Sequence, residues 1–150
     1  FLFAANGGSK LVEISKVASG GELSRIMLCL KEMMAKYTGM PTMIFDEIDT
    51  GVSGSIADKM GEMIGRMGKN MQVFAITHLP QIAAMSDTHF LIEKQVSNER
   101  TVTRIHRLWE EESLSELARL LGSGNVTEAV LTNAREMKDM ANKVKSHSAN

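Results

Sequence analysis

Three acidic residues follow a short apolar run near the end of the first third of the chain. Residues 42–45 lead directly into Asp46 and Glu47, and Asp49 follows two positions later, just before the glycine-rich residues 51–54. An apolar run of this length between turn residues predicts a strand buried on both faces, as in a parallel sheet. Adjacent carboxylates at the end of such a strand are costly unless a cation lies between them, and Mg²⁺ with a phosphate is a common solution. The pattern predicts half of a nucleotide site.

A second apolar run, residues 71–76, ends in Thr77 and His78. An amphipathic pattern after Gly54 predicts a helix between the two runs, so together they form a strand–helix–strand unit with the usual right-handed crossover. The carboxyl ends of parallel strands meet at the sheet edge where open α/β folds bind ligands. We therefore expect Asp46, Glu47 and His78 to converge. The local sequence alone also allows His78 to be a helix-capping residue before Pro80.

Residues 19–22, Ser-Gly-Gly-Glu, open another predicted helix. Ser19 and Glu22 fit a capping box, whereas glycine inside a helix costs about 1 kcal/mol relative to alanine. Bare backbone at a helix start allows a ligand to approach closely, and its free N–H groups favour an anion. A well-capped helix without a ligand remains the alternative for this segment taken alone.

The remaining periodicity completes an alternating pattern of strands and helices. Strands are predicted in residues 1–5, 42–46, 71–76, 89–93 and 101–108, and helices from Ser19, after Gly54, and over residues 80–85, 113–121 and 127–146. Residues 11–17 alternate imperfectly and predict either a short strand or an extended approach to the next element. The first helix carries an apolar stripe that predicts a buried face, made of Leu23, Ile26, Met27, Leu30, Met33, Met34 and Tyr37. A capping-box pattern predicts that the fourth helix begins at Ser113.

Composition limits the class of protein. The 150 residues suffice for one domain, and 17 basic against 18 acidic residues leave a formal charge of -1, so charge balance gives no sign of a nucleic-acid surface. One cysteine suits a reducing compartment, and no apolar run is long enough for a membrane helix. Because the chain starts at Phe1 inside a predicted strand, we expect a segment of a longer protein.

The chemical residues fall into blocks that resemble the motifs of ABC-type ATPases. Residues 18–24 resemble the signature loop, residues 42–47 the Walker B strand with its glutamate, residues 48–54 the D-loop, and residues 76–78 the switch histidine. Ile48 stands where ABC transporters usually have proline, which is more similar to the SMC and RecN branch that works on DNA. Residues 17–28, 45–54, 77–83 and 116–122 closely resemble the RecN family of bacterial DNA repair proteins. The resemblance covers nearly the whole chain and identifies the C-terminal half of a head domain.

The resemblance implies a fold and a set of site residues. The fold would be α/β, the C-terminal lobe of a P-loop NTPase-like ABC/SMC head, with a mainly parallel sheet, flanking helices and a C-terminal helical segment. The cofactors would be ATP and Mg²⁺, with Asp46 as metal residue and Glu47 and His78 as catalytic residues. The residues implied to contact nucleotide across a head–head interface are Ser19, Gly20, Gly21, Glu22 and Asp49.

The resemblance also implies partners. The sequence contains no G-x-x-x-x-G-K-[ST] phosphate loop, and in RecN-like proteins that loop lies in the N-terminal half of the head, beyond a long coiled coil. Residues 1–150 would thus need the N-terminal half of the same head, a second head in a homodimer, and DNA. The implied protein is cytoplasmic and nucleoid-associated, without a membrane partner.

Two other functions compete with an ATPase acting in repair of DNA double-strand breaks and recombination. Without the phosphate loop, the isolated chain is expected to be inactive and could serve as a structural or dimerisation module. A nucleotide-binding subunit of an ABC transporter is the other alternative, which Ile48 disfavours.

Overall fold

A computed structural model describes residues 2–4, 10–13, 20–46, 48–49, 51–97 and 100–147. The chain divides into two compact units, Phe1–Leu79 and Pro80–Asn150. None of the helices in the described ranges is both long enough and apolar enough to span a bilayer.

The first unit contains the elements that carry the acidic and glycine-rich segments. In chain order these are β1 (Leu2–Phe3), β2 (Val12–Glu13), α1 (Gly20–Thr38), β3 (Thr42–Asp46), α2 (Ser55–Met67) and β4 (Gln72–Ile76). β1 and β2 pair antiparallel. The other predicted residues of those two strands, and the predicted cap Ser19, lie outside the described residues or beyond the strand ends.

β3 and β4 pair in parallel, as the sequence predicts, from Thr42 opposite Gln72 to Asp46 opposite Ile76. The crossover helix α2 buries a stripe at helical spacing, made of Ala57, Met60, Gly61, Ile64 and Met67. Gly51 and Gly54 have φ values of 71° and 57°, a left-handed conformation that glycine adopts without steric cost. These two glycines let the chain turn sharply between the end of β3 and the start of α2.

The prediction that β3 is buried on both faces is wrong for this chain. Met43 and Phe45 are buried, but Ile44 between them is 62% exposed. On the neighbouring strand, Phe74 and Ile76 are exposed as well. Side chains alternate between the two faces of a strand, so one face of the β3–β4 pair packs on this unit and the other is uncovered.

The predicted buried stripe of α1 is also wrong for this chain. Apart from the partly buried Ile26, its members are exposed. Over residues 21–38, whose burial is described, α1 buries Gly21, Leu28 and Ala35, spaced seven apart. Such spacing makes a narrow line along one side of a helix. The helix therefore packs on this unit through the narrow line of small and apolar residues. The exposed members of the predicted stripe form a second apolar surface, called here the outer stripe of α1: Leu23, Met27, Leu30, Met33, Met34 and Tyr37.

Over residues 80–97 and 100–147, the second unit contains a hairpin and three helices: α3 (Pro80–Ala84), β5 (His89–Ser97), β6 (Arg100–Leu108), α4 (Glu110–Leu121) and α5 (Glu128–His147). β5 and β6 pair antiparallel over their full length, from His89 opposite Leu108 to Ser97 opposite Arg100. The α/β class is confirmed. Within the described ranges, parallel pairing is confined to β3 and β4, and the other two strand pairs are antiparallel.

The helix α4 begins three residues earlier than the sequence predicts. Glu112 accepts a hydrogen bond from the backbone N–H of Trp109 at 2.8 Å, which satisfies a donor at the helix start. Ser113, the predicted cap, is instead buried inside the helix, and Glu116 pairs with Arg119 at 2.6 Å. The acidic run before Ser113 suits the positive end of the helix dipole, and that run determines where the helix starts.

Small side chains let α3, α4 and α5 pack closely in the second unit. Its buried cluster consists of Ala83, Ala84, Leu117, Ala118, Ala134 and Ala141. Lys138 on α5 donates hydrogen bonds to the backbone oxygens of Ala84 and Ser86, at 3.0 and 2.9 Å. Lysines near a helix C-terminus can satisfy its last carbonyls, so Lys138 ties α5 to the end of α3.

His89 contacts α4 through a hydrogen bond with Ser113, with 2.8 Å between the imidazole Nδ1 and the serine Oγ. Burial lowers the pKa of His89 below its usual value. The charge of Glu116 raises this pKa and that of Lys138 lowers it, each less than burial does. The neutral imidazole is therefore the form that fits between β5 and α4.

Candidate active site

The carboxyl ends of β3 and β4 bring the predicted acidic and histidine segments to one edge of the sheet. Asp46 is the last residue of β3 and lies opposite Ile76, the last residue of β4. Thr77 and His78 follow immediately, so both polar segments leave the sheet at the same level. This convergence is what the strand–helix–strand pattern predicts.

Asp46 has an exposed position at this edge. Within the described part of the chain its carboxylate makes no hydrogen bond or ion pair, and no cluster of three or more metal-binding side chains occurs there. A single open carboxylate does not form a metal cage of its own. It does fit Mg²⁺, which proteins commonly hold through one or two carboxylates together with substrate phosphates and water.

Asp49 connects the loop after β3 to the segment after β4. Its side chain is 3% exposed, and its Oδ2 accepts a hydrogen bond from the Thr77 hydroxyl at 2.5 Å. The same oxygen accepts a hydrogen bond from the backbone N–H of His78 at 3.1 Å. A buried carboxylate is tolerated when hydrogen bonds replace its lost water, and these donors supply that replacement.

The imidazole of His78 also lies against Asp49, with 3.2 Å between Nδ1 and Oδ2. Because a carboxylate oxygen only accepts, Nδ1 carries the hydrogen in this contact. The ring is otherwise open, with 74% of the side chain exposed. Nε2, on the opposite side of the ring from Nδ1, is the nitrogen available to a ligand.

The start of α1 lies against the same loop. A Cβ atom placed on Gly21 would come within 3.0 Å of the backbone oxygen of Gly51, closer than ordinary packing allows. The absence of a side chain at Gly21 therefore allows this close approach within the chain, whether or not a ligand approaches it. Gly51 and Asp49 together connect the beginning of α1 to Thr77 and His78.

A shallow cleft runs from α1 to the end of β3. The cleft is lined by Leu23, Ser24, Met27, Leu28, Lys31, Phe45, Asp46 and Ile48. The Lys31 ammonium lies 5.3 Å from the centre of the Phe45 ring, within the range of a cation–π contact. Both a cation and a carboxylate thus line this cleft beside the strand end.

Comparison with known proteins shows that the chain is similar to RecN proteins. The chain is 43% identical over 97% of its length to the DNA repair protein RecN of Bacillus subtilis (strain 168), and covers 25% of that protein. It is 45% identical over 90% of its length to RecN of Deinococcus radiodurans, covering 23% of it. The chain matches the C-terminal part of RecN.

RecN of Vibrio cholerae shows the same relationship, with 42% identity over 91% of this chain and 25% of the relative. The chain thus spans about a quarter of the length of the RecN proteins it matches. No family model matches the sequence.

A solved structure from work on ATP-driven dimerization and DNA-stimulated activation of SMC ATPases supports the fold. Its TM-score is 0.58 at 22% identity, and the match covers 76% of this chain and 68% of the other. At that identity the likeness bears on the fold alone. The SMC-like head lobe inferred from the sequence is confirmed as the fold class.

The RecN-like motif residues are described to different extents. Gly20, Gly21 and Glu22 form the first turn of α1, and Asp46, Asp49 and His78 lie at or near the sheet edge. Ser19 and Glu47 lie outside the described residues, so their predicted roles stay predictions.

Sequence reasoning missed Thr77 as the donor to Asp49 and Gly51 as the neighbour of Gly21. The threonine directly before His78 was the available signal for the first.

Proposed function

We propose that the full-length protein containing this chain is an ATPase acting in repair of DNA double-strand breaks and recombination, and that residues 1–150 are the C-terminal half of its head. The observation that carries the proposal is the parallel register placing Asp46 level with Ile76, which brings the acidic segment and His78 to one sheet edge. The RecN match supplies the repair context. Phosphoryl transfer needs mainly positioned charges, which such an edge can present.

Each residue at this edge has a proposed task. Asp46 holds Mg²⁺, most simply through water, and the ion when bound would neutralise charge on the phosphates. Glu47, the next residue, orients and polarises the attacking water, a role that contributes typically about 10²–10⁴-fold in rate. His78 presents Nε2 to the γ-phosphate and helps place that water.

The start of α1 is proposed to contact ATP held by a second head. Gly20, Gly21 and Glu22 form a helix N-terminus, where backbone N–H groups favour a phosphate, and Ser19 directly precedes them in the sequence. Asp49 belongs to the loop that we expect at the interface between the two heads. Two nucleotides would then lie between two heads, and closing of the heads would gate hydrolysis.

The uncovered apolar faces of this chain support a further partner, the N-terminal half of the same head. Ile44, Phe74 and Ile76 form an open sheet face, and the outer stripe of α1 is also exposed. Parallel sheets are normally covered on both faces, and the chain spans only a quarter of the RecN proteins. We propose that the N-terminal half, with the phosphate loop, covers these faces. DNA binding and a cytoplasmic, nucleoid-associated location belong to the same proposal.

The same exposed faces favour a second function for residues 1–150 in isolation, that of a non-catalytic structural or dimerisation module. The chain lacks the phosphate loop motif that cradles the β- and γ-phosphates. We therefore expect no measurable MgATP binding by isothermal titration calorimetry. Micromolar affinity of the isolated chain would refute this expectation.

Steady-state ATP hydrolysis by the full-length protein tests the main proposal. Glu47→Gln should reduce turnover by about 10²–10⁴-fold and leave ATP binding intact, because the amide keeps the shape but cannot act as a base. Glu111→Gln, an exposed acid on α4, is the matched control and should hydrolyse ATP at the wild-type rate. Unchanged turnover in Glu47→Gln would remove that residue from the catalytic role.

A further inference from the structure

We infer that Asp49 is a positioning residue for His78 within the same chain, and that Thr77 is the second part of this device. The inference rests on the proposed ATPase function, since it concerns how the switch histidine is held for that reaction. It assigns the Asp49 carboxylate a task inside one head, distinct from contact with a nucleotide across an interface.

The first argument is the geometry at one oxygen atom. Oδ2 of Asp49 lies 2.5 Å from the Thr77 hydroxyl oxygen, 3.1 Å from the His78 backbone nitrogen and 3.2 Å from His78 Nδ1. Two of these contacts hold the backbone around His78, and the third holds its ring. Hydrogen bonds to a charged acceptor are roughly twice as strong as neutral ones, so this carboxylate determines both position and orientation.

The second argument is the contrast in burial across the pair. Asp49 is 3% exposed while the His78 side chain is 74% exposed. A surface imidazole without a partner would sample several rotamers. Anchoring Nδ1 on a buried carboxylate leaves Nε2 on the open side. This arrangement fits a ring prepared for a ligand before the ligand binds, which lowers the cost of ordering it later.

The third argument is that short-range hydrogen bonds fix both Asp49 and Thr77 in place. The backbone N–H of Val52 donates to the backbone oxygen of Asp49 at 3.1 Å, which closes the turn around Asp49. The Thr77 hydroxyl also accepts a hydrogen bond from the backbone N–H of Leu79 at 3.0 Å. The Thr77 hydroxyl thus links Asp49 to Leu79, the residue that follows His78. Removing this hydroxyl should loosen the backbone around His78 although it makes no contact with the imidazole.

The test measures ATP turnover and the His78 ring in the full-length protein. Asp49→Asn should lower kcat about 10- to 100-fold, as expected for weakening of charge-assisted hydrogen bonds, with KM for ATP unchanged within twofold. Thr77→Val, which keeps the shape and removes only the hydroxyl, should lower kcat in the same direction by a smaller factor. Thr77→Ser restores the hydroxyl and should recover the wild-type rate. Asp58→Asn, an exposed acid in the first turn of α2, is the charge-matched control and should leave kcat unchanged.

The ring itself is followed by NMR of ¹⁵N-histidine-labelled protein, with His78→Gln used to assign the signal. The wild-type signal should show hydrogen on Nδ1, and Asp49→Asn should move the ring toward a mixture of tautomers. An unchanged His78 signal in Asp49→Asn would overturn the inference, as would equal loss of activity in Thr77→Ser and Thr77→Val. If the wild-type full-length protein shows no ATP turnover, the ATPase proposal itself fails, and the NMR result still decides whether Asp49 orients His78.

Discussion

Gly21 and Gly51 approach each other so closely that a methyl group on the first would meet the backbone oxygen of the second at 3.0 Å. Adding that methyl group requires the loop after β3 to shift by a few tenths of an ångström. Gly21→Ala should therefore lower ATP turnover in the full-length protein through displacement of Asp49 and His78. Crowding of this kind typically costs about 1–3 kcal/mol of folding free energy. Thermal denaturation and ATPase rates measure the two effects.

Gly68→Ala is the control for that substitution. Gly68 has a φ of -59°, which any residue adopts, and a Cβ there would make only ordinary contacts of 3.5 and 3.7 Å. Stability should stay unchanged or rise by about 0.4–1 kcal/mol through reduced freedom of the unfolded chain. Equal losses in Gly21→Ala and Gly68→Ala would contradict the close approach of Gly21 to Gly51.

The core of the second unit depends on Leu117. This side chain is fully buried among small residues of α3 and α5, so its truncation leaves a cavity that alanine neighbours cannot fill. Leu117→Ala should lower the free energy of unfolding by about 2–5 kcal/mol, measured by urea denaturation. Leu114→Ala, at a partly buried position on the same helix, should cost clearly less. A larger loss at Leu114 would contradict the described packing of α4.

His89 should make local stability depend on pH. Its pKa is lowered in the folded state, chiefly by burial, so at pH values between the folded pKa and about 6.5 the unfolded state binds more protons. The resulting stability is fully present above about pH 6.5 and is lost as pH falls through the folded pKa. Amide hydrogen exchange of β5 and α4 at pH 7.5 and pH 5.5 measures this loss.

His89→Gln removes the titrating group from that position. The pH-dependent loss of protection in β5 and α4 should become smaller in the variant than in the wild type. His147→Gln is the control, because that histidine lies exposed in the last turn of α5. An identical pH dependence in wild type and His89→Gln would contradict the assignment.

Charged substitutions in the outer stripe of α1 should have opposite effects on the isolated chain and on the full-length protein. Met27 and Leu30 are exposed in this chain, and we propose that the N-terminal half covers them. The double substitution of both by lysine should reduce aggregation of residues 1–150, measured by light scattering, because it breaks an exposed apolar patch. The same change should destabilise the full-length protein, since two charges would be buried.

Met140→Lys serves as the comparison, because Met140 is an exposed methionine on α5. It should leave the stability of the full-length protein nearly unchanged. If the α1 double variant is equally harmless in the full-length protein, α1 does not face the N-terminal half.

The sequence predicted the parts of the site that depend on chain order and periodicity. Alternating strands and a crossover helix place Asp46 and His78 at one edge, and the register of β3 with β4 bears this out. The contact between Asp49 and Thr77 could not be predicted in the same way, because hydrogen bonds between loops depend on turn geometry. Glu47 and Ser19 lie outside the described residues, so their roles still rest on the sequence resemblance.

The errors at α1 and β3 share one physical cause. Periodicity identifies the apolar face of α1 correctly but does not say which molecule or segment covers it, and in this chain most of that face is open. The same holds for Ile44 on β3. At the start of α4 the cause is different, because a second capping pattern four residues upstream, Trp109 with Glu112, competes with Ser113, and the local sequence alone does not rank the two.

The central claim, that two heads share each ATP site, is tested most directly by mixing two inactive full-length variants. Ser19→Arg blocks the start of α1, and Glu47→Gln removes the proposed base, so each should be inactive alone. In a mixed dimer, one site combines an intact Glu47 with an intact Ser19. Equimolar mixtures should recover about a quarter of the wild-type ATPase rate, because about half of randomly assorted dimers are mixed and each has one intact site. A mixture no more active than the sum of its two components would contradict the claim.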